Sequence, residues 1–103
     1  MGGFVRVMPL AELAQAVPRC AEVGGRRIGL VNLGGTVYAF DDTCTHAHAS
    51  LCAGPMSGCE IVCPLHGATF DVRSGEVTGP PAAEDLATYE VRIEGGEVLV
   101  RLD

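Results

Sequence analysis

The chain lacks any long uninterrupted apolar segment. Charged residues or glycine interrupt every apolar stretch of its 103 residues. None approaches the roughly twenty apolar residues that a membrane-spanning helix requires. Residues 1–10 also lack the apolar run and the small-residue cleavage site of a signal peptide. We therefore expect a soluble, cytoplasmic protein.

Positive charge is also scarce. Lysine and arginine together number 7, against 13 aspartates and glutamates, which gives a net charge of −6. Because nucleic acid requires basic surface, this balance argues against it as a partner. The charge is unevenly placed, since Glu60 is the only charged residue between Thr43 and Phe70. We predict a neutral central segment on an acidic body.

Aromatic side chains are few as well, at 5% of the chain, whereas glycine occurs 14 times. This composition favours tight turns and close backbone approach over a helical bundle. With 48% hydrophobic residues, the 103-residue chain suits one domain with a small core.

Three Gly-Gly pairs, at residues 24–25, 34–35 and 95–96, separate β-rich runs and predict hairpin turns. The predicted strands are residues 4–7, 20–23, 27–33, 36–40, 89–94 and 97–102. Residues 10–17 have helical spacing, but the flanking prolines limit a helix there to about two turns. In the last hairpin Val91, Ile93, Val98 and Val100 alternate with other residues, as in a half-buried antiparallel sheet.

The most distinctive pattern pairs cysteine with histidine in two short segments. Cys44-Thr45-His46 is followed, after sixteen residues, by Cys63-Pro64-Leu65-His66. Residues i and i+2 of an extended loop point the same way, so Cys44 and His46 can face one metal site. Thiolate favours iron–sulfur chemistry, and imidazole replaces it where a higher potential is required. The odd number of cysteines, 5, and this pairing argue for a reduced compartment instead of a disulfide scaffold.

C-x-H followed by C-x-x-H resembles the Rieske signature. The resemblance implies one 2Fe–2S cluster, with Cys44 and Cys63 as buried ligands of one iron and His46 and His66 as ligands of the other iron at the solvent edge. It also implies an all-β Rieske fold, in which an antiparallel β base carries an inserted small cluster-binding subdomain. We predict a single domain over residues 1–103, with its base at 1–42 and 80–103 and the subdomain at 43–79. Strands at residues 60–62 and 69–72 are predicted within the subdomain.

A structural zinc site uses the same residue types and is the main alternative. Zinc ligand pairs typically have about two to four residues between their members. The one-residue gap of Cys44-x-His46 is unusual for zinc, although the order of cysteine and histidine does not separate the two metals. A third interpretation is an accidental combination of core cysteines and surface histidines.

Four other cysteine and histidine residues have predicted roles outside the site. Cys20 lies in a predicted strand and is interpreted as a small buried apolar residue. Cys52 and Cys59 are predicted to be reduced, with a bridge between them as the alternative. His48 is predicted to be exposed and not to bind metal, because four ligands are already present, with a modest role at the docking surface as the alternative.

The surroundings of the predicted ligands indicate a low reduction potential. High-potential Rieske proteins carry Ser and Tyr hydroxyls that donate hydrogen bonds to sulfur, and this chain has Ala68 and Phe70 in the corresponding places. Leu51 and Leu65 are predicted to pack over the cluster and keep it dry. We expect a potential near the bottom of the family range, at about −150 mV.

A low-potential Rieske protein of this size resembles the ferredoxin component of bacterial ring-hydroxylating dioxygenase systems. The resemblance implies a one-electron carrier and not an enzyme. Its implied partners are a flavoprotein ferredoxin reductase that uses NAD(P)H and a terminal oxygenase that acts on an aromatic substrate, with no nucleic acid and no membrane. The alternatives are a Rieske-type small subunit of a nitrite reductase or other oxidoreductase and, from another class, a zinc-binding module.

Overall fold

The structure is a computed structural model, and it describes residues 3–44, 50–65, 67–80 and 84–102. In these ranges the chain forms ten strands and two 3-10 turns, at Leu10–Glu12 and Leu51–Ala53. The predicted all-β class is confirmed. The strands are β1 (Phe4–Pro9), β2 (Arg19–Val23), β3 (Arg26–Leu33), β4 (Thr36–Asp41), β5 (Met56–Ser57), β6 (Glu60–Val62), β7 (Thr69–Asp71), β8 (Val77–Gly79), β9 (Thr88–Glu94) and β10 (Glu97–Arg101).

Six strands form one antiparallel sheet in the order β1-β10-β9-β4-β3-β2. Its three hairpins turn at the three Gly-Gly pairs, and both glycines of each pair have φ between +56° and +94°. Two consecutive positive φ angles are those of the type I′ turn, whose twist matches that of paired strands. The three predicted turns are therefore confirmed, and the predicted strand ends lie within two residues of the observed ones.

Residues 10–17 form less helix than the two turns that their spacing allows. Only Leu10–Glu12 forms a helical turn, closed by a hydrogen bond from the Leu13 N–H to the Leu10 carbonyl at 3.0 Å. Beyond it, the Ala16 N–H donates to the Asn32 carbonyl of β3 at 2.8 Å, and Ala16 has a φ of +61°. The rest of this segment bonds partly to the sheet and partly to itself, through the Val17 N–H and the Ala14 carbonyl at 3.2 Å, and not in a second turn of helix.

The buried side chains form two separate groups. The base core consists of Met8, Leu13, Val23, Ile28, Leu30, Val37, Ala39, Val98 and Val100. The cysteine core consists of Val31, Phe40, Cys44, Leu51, Ile61, Cys63, Ala68, Phe70, Val72 and Leu86. Both predicted cysteine ligands, Cys44 and Cys63, therefore lie in the cysteine core.

Strands β3 and β4 contribute side chains to both cores, because one face of this pair of strands lines the base core and the other face lines the cysteine core. Ile28 and Leu30 of β3 lie in the base core, whereas Val31 lies in the cysteine core. In β4, Ala39 and Phe40 divide in the same way. Successive residues of a strand point to opposite faces, so this pair of strands is the wall between the two cores.

A glycine in β3 makes room for the largest side chain of this wall. Gly29 is paired with Phe40, and a Cβ at Gly29 would overlap the Phe40 ring. The ring therefore lies against the bare backbone of β3 and is fully buried in the cysteine core.

The last hairpin, β9–β10, is only partly as predicted. Val98 and Val100 of β10 are buried in the base core. In β9, Val91 is half-buried, but Ile93 is 42% exposed. Ile93 is therefore more exposed than the alternation predicted, although it pairs with the fully buried Val98. The pairing of β9 with β4 covers only Thr88 and Tyr89, so it does not extend to Ile93.

The remaining four strands form a second antiparallel sheet in the order β5-β6-β7-β8. Of these, β6 has the predicted bounds and β7 ends one residue earlier than predicted. The two edge strands, β5 and β8, were not predicted, since they have two and three residues and show no alternation to detect. No helix among the described residues has the length and hydropathy needed to cross a membrane.

Candidate metal centre

Cys44 and Cys63 enter the cysteine core from two different loops. Cys44 follows β4 and is 3% exposed, and Cys63 follows β6 and is 1% exposed. Both pack in the same apolar group as Leu51 and Phe70. The fold therefore brings two residues that are nineteen positions apart into one dry environment. Thiolates in such surroundings are the donor set that suits the sulfur-ligated half of an iron–sulfur centre.

The second loop, after β6, is closed by two backbone hydrogen bonds. The Cys63 N–H donates to the Ala68 carbonyl at 2.7 Å, and the Gly67 N–H donates to the Cys63 carbonyl at 3.0 Å. Gly67 has a φ of +80°, a conformation that side-chain-bearing residues rarely adopt. Glycine is thus required at this position for the turn that follows the second predicted ligand pair.

The first loop is held at both of its ends. Thr43 and Ser50 form an antiparallel bridge, and the Leu51 N–H donates to the Asp42 carbonyl at 2.6 Å. The Thr43 N–H also donates to the Asp41 side chain at 3.1 Å. The two ends of the first loop, at Thr43 and Ser50, therefore lie side by side.

The two predicted histidine ligands, His46 and His66, lie outside the described residues, and so does His48. The assignments made to these residues from the sequence stay predictions.

Gly54 connects the two loops and was missed in the sequence. It caps the Leu51–Ala53 turn with a φ of −91°, which any residue can adopt. A Cβ there, however, would overlap the Val62 carbonyl oxygen and lie 3.1 Å from the Pro64 ring. Glycine is required because the first loop rests on the backbone of the second. The Gly54-Pro55 sequence indicates a loop but not this contact.

Ala68 and Phe70 are both fully buried in the cysteine core. They stand where the sequence comparison with high-potential Rieske proteins places hydroxyl donors. Neither side chain offers a hydrogen bond, so these two positions supply only apolar contact to the region around the cysteines.

The two leucines predicted to pack over the site differ. Leu51 is fully buried in the cysteine core, as predicted. Leu65 is 60% exposed, so its predicted packing is wrong. It occupies a turn with Pro64, and Pro64 and Gly67 are also exposed. The tip of the second loop therefore presents an apolar side chain to solvent.

The cysteines outside the predicted site are arranged differently from the prediction. Cys20 is an exposed residue of β2 and forms a disulfide with Cys52, with their Cα atoms 5.5 Å apart. The interpretation of Cys20 as a buried apolar residue is wrong, and so is that of Cys52 as a reduced thiol. Cys59 is a free, half-buried thiol 3.8 Å from an Asp71 oxygen, which excludes the Cys52–Cys59 bridge. These residues are far apart in sequence, so their pairing had no local signal.

Asp42 is a buried carboxylate beside the first loop, and its role was also missed. It is 1% exposed. It accepts hydrogen bonds from the Ser50 hydroxyl at 2.8 Å, the Cys52 N–H at 2.9 Å and Arg27 Nε at 3.2 Å. Its charge is balanced by Arg27, and its oxygens fix the end of the first loop.

The segment between residues 43 and 70 is neutral in its described part except for Glu60, which is half-buried in β6. Directly after this segment, Asp71 and Arg73 form a bidentate ion pair, in which Arg73 Nε and Nη2 donate to the two Asp71 oxygens at 3.0 and 2.8 Å. The hydrogen bonds from the Arg73 side chain hold the pKa of the Asp71 carboxyl below its ordinary value of 3.8, against an opposing contribution from burial. The same contact raises the pKa of Arg73.

Residues 3–90 match the sequence model of the Rieske [2Fe-2S] domain. A relative from Ralstonia sp, the ferredoxin component of naphthalene 1,2-dioxygenase/salicylate 5-hydroxylase systems, is 39% identical over 82 residues, which cover 80% of this chain and 79% of the relative. The solved ferredoxin of carbazole 1,9a-dioxygenase from Nocardioides aromaticivorans IC177 superposes with a TM-score of 0.91 at 39% identity, covering 94% of this chain and 95% of that one.

Two further solved structures bear on partners and alternatives. A chain in a complex of reduced oxygenase and oxidized ferredoxin in carbazole 1,9a-dioxygenase gives a TM-score of 0.88 at 34% identity, with 93% of this chain and 99% of that chain covered. A nitrite reductase small subunit gives 0.80 at 22% identity, with coverage of 95% and 97%. The second likeness shows a shared fold only.

Proposed function

Because the chain belongs to the Rieske [2Fe-2S] domain family, we propose that it carries single electrons from a flavin-dependent NAD(P)H reductase to a terminal aromatic-ring-hydroxylating oxygenase. The observation that carries this proposal is the burial of Cys44 and Cys63 together in one apolar core. The named relatives, which are ferredoxin components of dioxygenase systems, support the choice of partners. A role as carrier, and not as an enzyme, is the one those names describe.

The family cofactor is one Rieske 2Fe–2S cluster. We propose that Cys44 and Cys63 hold one iron and that His46 and His66 hold the other. When bound, such a cluster accepts and releases one electron without making or breaking a bond in a substrate. The described residues fit it, because two thiols in a dry core match the sulfur-ligated iron. The two neighbouring loops are also fastened to each other through Gly54.

The chain's own residues set the surroundings of this site. Leu51, Ala68 and Phe70 exclude water from the cysteine side. With no hydroxyl at positions 68 and 70, the extra negative charge of the reduced state lacks two hydrogen-bond donors that would stabilise it. The low potential predicted from the sequence, about −150 mV, follows from this apolar surround.

The tip of the second loop suits transient contact with a redox partner. Leu65 is 60% exposed there, and Pro64 and Gly67 beside it are uncharged and exposed. Contact through such residues does not require charged groups to lose their water. The acidic remainder of the chain can steer encounters with basic partner surfaces, an effect that salt weakens. We propose a cytoplasmic location, where the reductase has access to NAD(P)H.

The direct test is reconstitution. The purified protein is mixed with a flavoprotein reductase, NAD(P)H and a ring-hydroxylating oxygenase, and product is measured with and without it. We expect oxygenase turnover that depends on this protein, two irons and two acid-labile sulfides per chain, and nitrogen couplings in the electron paramagnetic resonance spectrum of the reduced form. Bound zinc in place of iron, or a spectrum of four sulfur ligands, would falsify the proposal.

A further inference from the structure

A second pair of thiols lies outside the proposed cluster site. Cys20 belongs to β2, and Cys52 belongs to the Leu51–Ala53 turn that ends the first loop. Their Cα separation of 5.5 Å is within the range that a disulfide spans, and the structure joins them across 32 residues of sequence. The bond would fasten an edge strand of the large sheet to the loop that carries Cys44.

Polar contacts hold this pair in place independently of the bond. The Cys52 N–H and the Ser50 hydroxyl both donate to the buried Asp42 carboxylate, at 2.9 and 2.8 Å. Asp42 is in turn paired with Arg27 of β3, the strand next to β2. The contacts that position Cys52 beside β2 therefore do not involve the bond between the two sulfurs. Such an arrangement allows the bond to form and break without refolding of the loop.

The same three side chains, Cys20, Asp42 and Cys52, also have the composition of a metal site. The carboxylate argues against that use. Its two oxygens already accept hydrogen bonds from the Ser50 hydroxyl, the Cys52 N–H and the Arg27 guanidinium, which leaves little lone-pair capacity for an ion. A guanidinium 3.2 Å from one oxygen would also repel a cation.

Accessibility separates this pair from the proposed ligands. Cys20 is exposed and Cys52 is half-buried, whereas Cys44 and Cys63 are 3% and 1% exposed. An oxidant in solution therefore reaches Cys20 before it reaches either ligand thiol. Cys59 provides an internal comparison, because it is half-buried beside the Asp71 carboxylate and has no cysteine partner in the structure.

We propose that Cys20 and Cys52 are a reversible dithiol–disulfide pair that fastens the first ligand loop to β2. Hydrogen peroxide oxidises the Cys20 thiol to a sulfenic acid and releases one water. The Cys52 sulfur then attacks that sulfur, the S–S bond forms and a second water leaves, so two thiols and one peroxide give one disulfide and two waters. A small dithiol reverses the reaction by exchange, becoming a disulfide itself.

The thiol chemistry is tested by mass spectrometry on the iron-loaded protein. Samples treated with peroxide or with dithiothreitol are denatured, alkylated with iodoacetamide and digested. We expect a linked Cys20–Cys52 peptide pair only after peroxide, both residues alkylated after dithiothreitol, and Cys59 alkylated in both samples. The Cys59→Ser variant should give the same pattern, and Cys20→Ser should give no linked peptide.

Three outcomes would overturn the pair. The first is a disulfide between Cys52 and a residue other than Cys20. The second is oxidation of Cys20 to a sulfinic acid with no disulfide formed. The third is binding of added zinc by the reduced wild type but not by Cys20→Ser. This readout does not depend on iron, so it is separate from the electron-carrier proposal. Even if the protein did not carry electrons, the peptide analysis would still show whether the Cys20–Cys52 disulfide forms.

The fastening effect, which rests on the proposed cluster site, is tested by stability and iron release. Closing a loop of 32 residues should raise the melting temperature of the oxidised wild type above that of the reduced form by roughly 10 °C or more. Iron transfer to an external chelator should also be slower in the oxidised form. Both differences should vanish in Cys20→Ser and, as a second variant, in Cys20→Ala. Equal melting temperatures and equal iron release in the two forms of the wild type would show that the bond fastens nothing.

Discussion

The two cores of this protein are built in different ways. The base core lies on strands of five to eight residues joined by two-glycine turns. The cysteine core is made largely by strands of two or three residues and by two loops. Regular strands specify a stable fold, whereas irregular loops place particular side chains. The protein separates these tasks while sharing β3 and β4 between them.

The strongest test of this difference is the loss of a proposed ligand. In Cys63→Ser the side chain stays small but no longer offers a thiolate, so we expect nearly complete loss of bound iron and of visible absorbance. The base core should persist, with a β-type circular dichroism spectrum. Iron analysis of the purified variants checks this.

Cys59→Ser is the matched control, because Cys59 is half-buried in the same small sheet region but outside the cysteine core. It should keep the iron content of the wild type. Equal iron content in Cys63→Ser and wild type would contradict the ligand assignment.

A pair of leucine truncations compares the two cores directly. Leu30 of the base core and Leu51 of the cysteine core are both fully buried. Replacement of either by alanine should cost about 2–5 kcal/mol of unfolding free energy. Only Leu51→Ala should also speed the transfer of iron to a chelator at temperatures where the protein is folded.

Thermal unfolding and chelator kinetics of the two variants give the answer. The proposed separation of tasks fails if Leu30→Ala releases iron as fast as Leu51→Ala does.

The next effect concerns the reduction potential and not stability. Phe70→Tyr places a hydroxyl in the cysteine core, and if it donates to a cluster sulfur the reduced state is favoured. A hydrogen bond to a charged group contributes about 1.5 kcal/mol, which corresponds to an increase of about 60 mV for one electron. Ala68→Ser should act in the same direction. Redox titration followed by visible spectroscopy measures both shifts.

Tyr38→Phe in β4 is a suitable control, because its side chain packs only at the margin of the cysteine core. It should leave the midpoint unchanged. A wild-type midpoint above zero would refute the low-potential assignment on its own.

The smallest effect is expected at the surface of the small sheet. The pKa of Asp71 is lower in the folded protein than its ordinary value of 3.8. The ion pair with Arg73 therefore stabilises the fold above pH 3.8, and this stabilisation is lost as the pH falls through the pKa of Asp71 in the folded protein. Arg73→Gln should therefore lower the melting temperature slightly at neutral pH, and by the same amount down to about pH 5. Arg92→Gln, in an exposed pair with Glu94, is the control and should have still less effect. A difference between wild type and Arg73→Gln that grows as the pH falls would contradict this sign.

Sequence reasoning succeeded where the determinants are local. Alternation and paired glycines gave the hairpins of the large sheet, because a turn with two positive φ angles admits few other residues. It also predicted that Cys44, Cys63 and Leu51 would be buried.

It failed where distant segments decide the outcome. The Cys20–Cys52 bond, the contact of Gly54 with the Val62 carbonyl and the buried Asp42 all depend on how loops meet in space. Leu65 was misjudged because hydrophobicity alone does not distinguish a core residue from one that faces solvent on a turn.

The two-faced β3–β4 pair has a consequence for protein engineering. A transplant of residues 43–79 onto a foreign scaffold would not include Val31, Phe40 or Gly29, whose backbone lies against the Phe40 ring. The transplanted segment would therefore lack one side of the apolar core around the cysteines. The portable unit is therefore the loops together with this hairpin. A designer who moves the proposed metal-binding segment alone would transfer its cysteines without the side chains that keep them away from water.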